Sequence, residues 1–190
     1  ADPQSKGKGV LVVLNGTILS ARDATKTNTL DVQTFQSPNS GPMGEVYGGK
    51  VSYRQVPLKK HTTETVFDIS KIDELPRVAI LYGYADEAAE PAQALIDAGY
   101  KGIVHAGVGN GNIHKRVVSV LAEAAKKGIA VVRSSRIPTG PSTMDGELDD
   151  VALGFVAAED LNPQKARILL MLALIKDADR ETIQRYFNEY

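Results

Sequence analysis

Val78-Ala79-Ile80-Leu81-Tyr82, Gly102-Ile103-Val104-His105-Ala106 and Ile129-Ala130-Val131-Val132 decide the fold of this chain. Each is a short apolar run rich in β-branched residues, the pattern of a strand covered on both faces. Residues 87–98 read as a helix closed by Gly99. Residues 113–127 read as a second helix, with Val117, Val118, Val120, Leu121, Ala124 and Ala125 on its apolar side and Gly128 at the left-handed position that ends it. Strand–helix–strand repetition with short connections implies right-handed crossovers and a parallel sheet with helices on both faces. Further on, Asn162-Pro163 is a helix start, and that helix is apolar nearly all round through residue 175. A last amphipathic helix opens near Asp179 and sets Ile183 and Phe187 four apart. Residues 77–190 are therefore expected to form a small doubly wound α/β domain.

Upstream the grammar differs. Val10-Leu11-Val12-Val13-Leu14 is a continuous apolar run ending at Asn15-Gly16, and it reads as a strand buried on both faces. The segment from Thr17 to about Tyr53 is rich in Thr, Ser, Asn and Gly, with one hairpin signal at Gly48-Gly49. No helical pattern here covers the first strand. Residues 1–53 are accordingly read as the C-terminal remnant of a larger α/β domain whose beginning is missing or is completed by another chain, and residues 54–76 as a linker. Ala1-Asp2-Pro3-Gln4-Ser5-Lys6 is neither an initiating Met nor a signal peptide and reads as the middle of a loop.

Composition excludes several partners. The 190 residues carry 22 Lys+Arg against 23 Asp+Glu, a net charge of -1, with no run of more than two basic residues. A nucleic acid or an anionic membrane is therefore not the expected partner. The longest apolar stretch, residues 168–175, falls well short of the roughly 20 residues needed to cross a bilayer. With no cysteine, disulfides, thiolate zinc sites and cysteine nucleophiles are all excluded.

In open α/β sheets ligands bind at the carboxyl ends of strands, so the loops there come first. Gly107-Val108-Gly109-Asn110-Gly111-Asn112 leaves the second strand and enters a helix. Its glycines either let backbone N–H groups approach an anion or simply permit a tight turn, and Asn112 either caps the helix or reaches a ligand. As a dinucleotide fingerprint it fails, because Asn112 stands where the third glycine belongs. Arg133-Ser134-Ser135-Arg136 is read as the loop after the third strand, running into residues 138–150 with Asp145, Glu147, Asp149 and Asp150. The calcium-loop spacing is not met there. Either the acids are a solvated surface or one of them binds a substrate ammonium. His61, His105 and His114 lack the spacing of a metal site. Lys26, in Arg22-Asp23-Ala24-Thr25-Lys26-Thr27-Asn28-Thr29, either is solvated or, buried among hydroxyls, has a lowered pKa and activates a threonine.

Taken together and in order, Gly9-Val10-Leu11-Val12-Val13-Leu14-Asn15, the segment from Arg22 through Thr29, His61-Thr62, the loop ending at Asn112, Arg133-Ser134-Ser135-Arg136, Leu161-Asn162-Pro163-Gln164-Lys165-Ala166-Arg167 and the closing Tyr186-Phe187-Asn188-Glu189-Tyr190 resemble the bacterial type II L-asparaginases and their glutaminase-asparaginase relatives. The resemblance implies an amidohydrolase acting on L-asparagine, and to a varying degree L-glutamine, without metal or cofactor. It implies a periplasmic homotetramer built from intimate dimers, with active sites between the N-terminal domain of one subunit and the C-terminal domain of the next. Lys26 then resembles the lysine of the family's Thr–Lys–Asp triad. Asn112 and Glu147 resemble the two residues lent by the partner subunit, Glu147 facing the substrate's α-amino group. The family's T-G-G-T-I loop and H-G-T-D-T segment do not occur in the sequence, so the expectation is that these 190 residues alone do not turn over asparagine. Two other readings compete: a non-catalytic small-molecule-binding domain, and a structural dimerisation fragment.

Overall fold

The computed structural model describes residues 2–190. Ala1 lies outside the described residues; from Asp2 onward the start of the chain is a 3-10 turn over Pro3–Ser5, capped by the Asp2 carboxylate. The chain divides into two compact units, residues 1–66 with Tyr190, and residues 67–189.

The first unit is built from short antiparallel strands. Strands β1 (Leu11–Leu14), β2 (Thr17–Ser20), β5 (Gly44–Tyr47) and β6 (Lys50–Tyr53) form one sheet in the order β1-β2-β5-β6, while β3 (Thr25–Lys26) pairs with β4 (Phe35–Gln36). The hairpin between β5 and β6 falls where Gly48-Gly49 predicts it. Both glycines have positive φ, 55° and 74°, as a turn matching the strand twist requires. Residues 11–14 do form a strand, β1; among the described residues it pairs with β2 alone and Val10 and Val13 are exposed, so the described residues supply no cover on its other side. The buried apolar side chains of this unit are Ile18 and Leu19 of β2 and Met43 before β5. Residues 54–76 contain a single 3-10 turn, Thr62–Glu64, and otherwise no helix or strand.

The second unit is the expected α/β layer structure. Strands β7 (Val78–Tyr82), β8 (Gly102–Gly107), β9 (Ala130–Ser135) and β10 (Phe155–Ala157) run parallel in the order β10-β9-β8-β7. Helices α1 (Glu90–Asp97) and α2 (Lys115–Lys126) connect the first three strands; α3 (Asp150–Leu153) precedes β10, and α4 (Pro163–Ile175) and α5 (Arg180–Glu189) come after it. Alternation along β8 separates two cores. Ile103 packs with Ala92 of α1 and with Val117 and Leu121 of α2. At Gly102 an added Cβ would lie 2.8 Å from Leu170 and 3.3 Å from Leu174 of α4, so a larger residue there forces those side chains to shift. Helices thus cover both faces.

Four details differ from the sequence reading, each for a local reason. Helix α1 starts at Glu90, not residue 87, because Asp86 is left-handed and Glu87 is buried against His105. Helix α2 is capped by His114, whose Nδ1 accepts from Arg116 N–H, and not by Asn112, whose backbone is held in a bridge with Val108. Arg133, Ser134 and Ser135 are not a loop: they continue β9, paired with His105, Ala106 and Gly107. Strand β10 is only three residues long and has no alternation to announce it. Among the described residues no helix is long and apolar enough to cross a membrane.

Candidate functional site

The loop after β8 and the loop after β9 are held together by one buried side chain. Arg133 is fully buried near the end of β9. Its Nε and Nη2 donate to the two carboxylate oxygens of Asp150, each at 2.5 Å, and Asp150 is equally buried. The remaining donors reach backbone carbonyls: Nη2 to Thr143 at 2.9 Å, Nη1 to Asn110 at 2.8 Å and to Gly111 at 3.4 Å. A planar fork with five N–H groups is the one side chain that satisfies a carboxylate and two loops together.

The two loops also bond to each other. Thr143 N–H donates to Asn110 Oδ1 at 2.7 Å, and Asn110 Nδ2 donates to Thr143 Oγ1 at 2.9 Å. Asp145 N–H donates to Asp150 Oδ2 and Asp150 N–H donates back to Asp145 Oδ1, both at 2.8 Å. Gly146 and Gly107 make this possible. A Cβ at Gly146 would collide with Asn110 Nδ2, and one at Gly107 would collide with the Asn112 carbonyl.

Asn112 is half-buried at the end of the first loop, and Glu147 is exposed in the middle of the second, between the two residues that Arg133 grips, Thr143 and Asp150. The structure therefore brings the loops of two sequence-predicted residues together. Lys26 lies in the other unit, exposed on β3 opposite Phe35. Its strand is stiffened by Thr27 N–H and Oγ1 donating to the Thr34 carbonyl at 2.7 and 3.0 Å. Lys26 is thus not buried among hydroxyls within this chain.

Asn112 also borders a small cavity of about 180 Å³ with Tyr84, Glu87, Val108 and His114. Below it, His105 Nε2 lies 3.0 and 3.1 Å from the two carboxylate oxygens of Glu87, and His105 Nδ1 is buried without a partner. Desolvation holds the His105 pKa below its ordinary value and outweighs the attraction of Glu87, with Arg133 pushing in the same direction as burial. The imidazole is therefore neutral, donating from Nε2, with Nδ1 left as a bare acceptor. Among the described residues no three His, Cys, Asp or Glu side chains converge as a metal site.

Residues 77–187 match the family described as Glutaminase/Asparaginase C-terminal domain, and residues 1–59 match Asparaginase, N-terminal. The chain belongs to the asparaginase family. It is 58% identical over 190 residues to L-asparaginase 2 of Escherichia coli, a match spanning the whole of this chain and 55% of that relative. It is 52% identical to the probable periplasmic L-asparaginase of Haemophilus influenzae, again over the whole chain and 54% of the relative. With the glutaminase-asparaginase of Pseudomonas fluorescens it shares 44% identity over 98% of this chain and 51% of the relative. This asparaginase-family chain spans about half the length of the curated relatives it matches.

Arg133, Asp150, Asn110 and the pair His105–Glu87 were not singled out by spacing. A charged residue at the end of an apolar run reads as the start of a loop. Its partner, 17 residues on, shares no periodicity with it.

Proposed function

We propose that this chain is part of an amidohydrolase that releases ammonia from the side-chain amide of L-asparagine, and to some degree L-glutamine. Residues 1–53 are read as the end of its N-terminal domain, 54–76 as a linker and 77–190 as its C-terminal domain. The observation that carries the reading is the buried Arg133 fork, which sets the loop of Glu147 beside the loop of Asn112.

A carboxamide is a poor electrophile and a neutral hydroxyl a poor nucleophile, so the reaction needs a proton acceptor beside the attacking oxygen. In this reading a threonine outside the 190 residues is the nucleophile, and Lys26 promotes removal of its proton as the oxygen attacks the amide carbon. Ammonia leaves with that proton, and water then hydrolyses the acyl ester. Glu147 pairs with the substrate's α-ammonium and so rejects amides that lack one, while Asn112 donates to its polar groups. Both are lent to the site of a partner subunit in a homotetramer of intimate dimers. The exposed β1 edge, with Val10, Val13 and Leu14, supports a chain that works as part of a larger assembly. Periplasmic residence is proposed by analogy with the relative named for that compartment.

Ammonia release from L-asparagine tests this. The complete protein is expected to release it and the purified 190-residue chain is not. Turnover by the chain alone overturns the placement of the nucleophile.

A further inference from the structure

We infer that Arg133 is a positioning residue for recognition of the substrate's α-amino group: it holds Glu147 in register with Asn112 without touching substrate itself. The inference rests on the roles proposed above for those two residues.

A pair of charges taken wholly out of water gains little net stability, because desolvation offsets the attraction. The Arg133–Asp150 pair is fully buried, so its presence calls for a reason beyond stability. Geometry supplies one. The eight residues from Thr143 to Asp150 form a loop whose two ends meet at one guanidinium, through the Thr143 carbonyl and the Asp150 carboxylate. Asp145 N–H and its carboxylate close the loop on Asp150 from inside. Glu147 stands at the middle of that closed loop, exposed to solvent. The same guanidinium grips the Asn110 carbonyl, two residues before Asn112. One rigid plane therefore fixes both ligand-bearing loops, and a displacement of about 1 Å at such a site is enough to cost orders of magnitude in rate.

A lysine carries the charge but has three donors on a single nitrogen, so it cannot reproduce the bidentate grip on Asp150 together with the carbonyls of Asn110, Gly111 and Thr143. In the complete protein, Arg133→Lys is expected to raise KM for L-asparagine roughly tenfold or more, with kcat falling less than KM rises, and to narrow the preference for L-asparagine over succinamic acid, the same amide without the α-amino group. Glu147→Gln should narrow that preference too. Hydrogen exchange gives the second readout: amides of residues 107–112 and 143–150 should exchange faster in Arg133→Lys while those of β7 and β8 keep their protection. If Glu147→Gln narrows the preference and Arg133→Lys does not, or if the two loops keep their protection, the positioning role is wrong. If Glu147→Gln leaves the preference untouched, the functional reading of Glu147 fails instead, and the exchange data alone decide whether Arg133 orders the loops.

Discussion

Arg133 Nε and Nη2 meet both carboxylate oxygens of Asp150 at 2.5 Å, with neither side chain reaching solvent. The pair joins the end of a central strand to the first turn of α3, and it closes the carboxyl end of the sheet where the two site loops leave. The same guanidinium also holds the carbonyls of Asn110, Gly111 and Thr143, so both loops depend on it.

Breaking the pair from one side should be costly. Asp150→Ala leaves a buried guanidinium facing no anion, a situation that costs about 3–5 kcal/mol. The denaturant midpoint of the second unit should fall accordingly, monitored by far-ultraviolet circular dichroism. Replacing both partners with apolar residues of similar volume should recover most of the loss. A midpoint unchanged in Asp150→Ala would mean that the pair is not buried as described.

At Gly146 any side chain forces its neighbours to move. Its hypothetical Cβ overlaps Asn110 Nδ2 and sits 2.5 Å from Thr143 Oγ1, the two atoms that bond the loops together. Gly146→Ala should therefore part the loops while leaving the sheet intact. In the complete protein KM for L-asparagine should rise several-fold, with the melting temperature moving by only a few degrees. An unaltered KM would show that the loops tolerate separation.

Stability should also depend on pH through His105. Burial lowers its pKa in the folded chain below the ordinary value of 6.5, so the unfolded chain binds the proton first. The stabilising contribution is full above the ordinary histidine pKa. It is lost progressively as pH falls through 6.5 toward the folded value. Denaturation midpoints measured between pH 7.5 and 5 should decline, and His105→Gln, though less stable at pH 7.5, should show a shallower decline. Parallel slopes in the two proteins would place the titrating group elsewhere.

The sheet of the second unit was legible in the sequence because β7, β8 and β9 are uninterrupted apolar runs separated by helices that end on glycine. Gly99 and Gly128 do adopt the left-handed geometry expected of them. Asn162 caps α4 as its side chain predicts, accepting from Lys165 N–H at 3.0 Å. Where the reading failed, a side chain had a partner that spacing does not reveal. Glu87 is drawn from the helix into the core by His105, and Arg133 stays in the ladder because its charge is met by Asp150 from a distant loop. The apolar run from Val10 to Leu14 suggested burial on both faces, but this chain offers it one neighbour strand. Lys26 and Asn112 were candidates from their local sequence, each beside a structural alternative, while only the family resemblance chose Glu147 among its neighbouring acids and gave all three a role. A lone lysine in a threonine-rich strand and a lone glutamate in an acidic loop carry no periodic signature.

The most direct test of the account mixes two variants of the complete protein, Lys26→Ala and Glu147→Ala, each expected to lose activity, and measures ammonia release from L-asparagine after subunit exchange. If each site takes Lys26 from one subunit and Glu147 from its partner, random mixing rebuilds about a quarter of all sites with both residues intact, and activity should return toward that fraction of the unmutated rate. If the two residues serve a site within one subunit, or Glu147 serves none, the mixture should release no more ammonia than its two components measured apart.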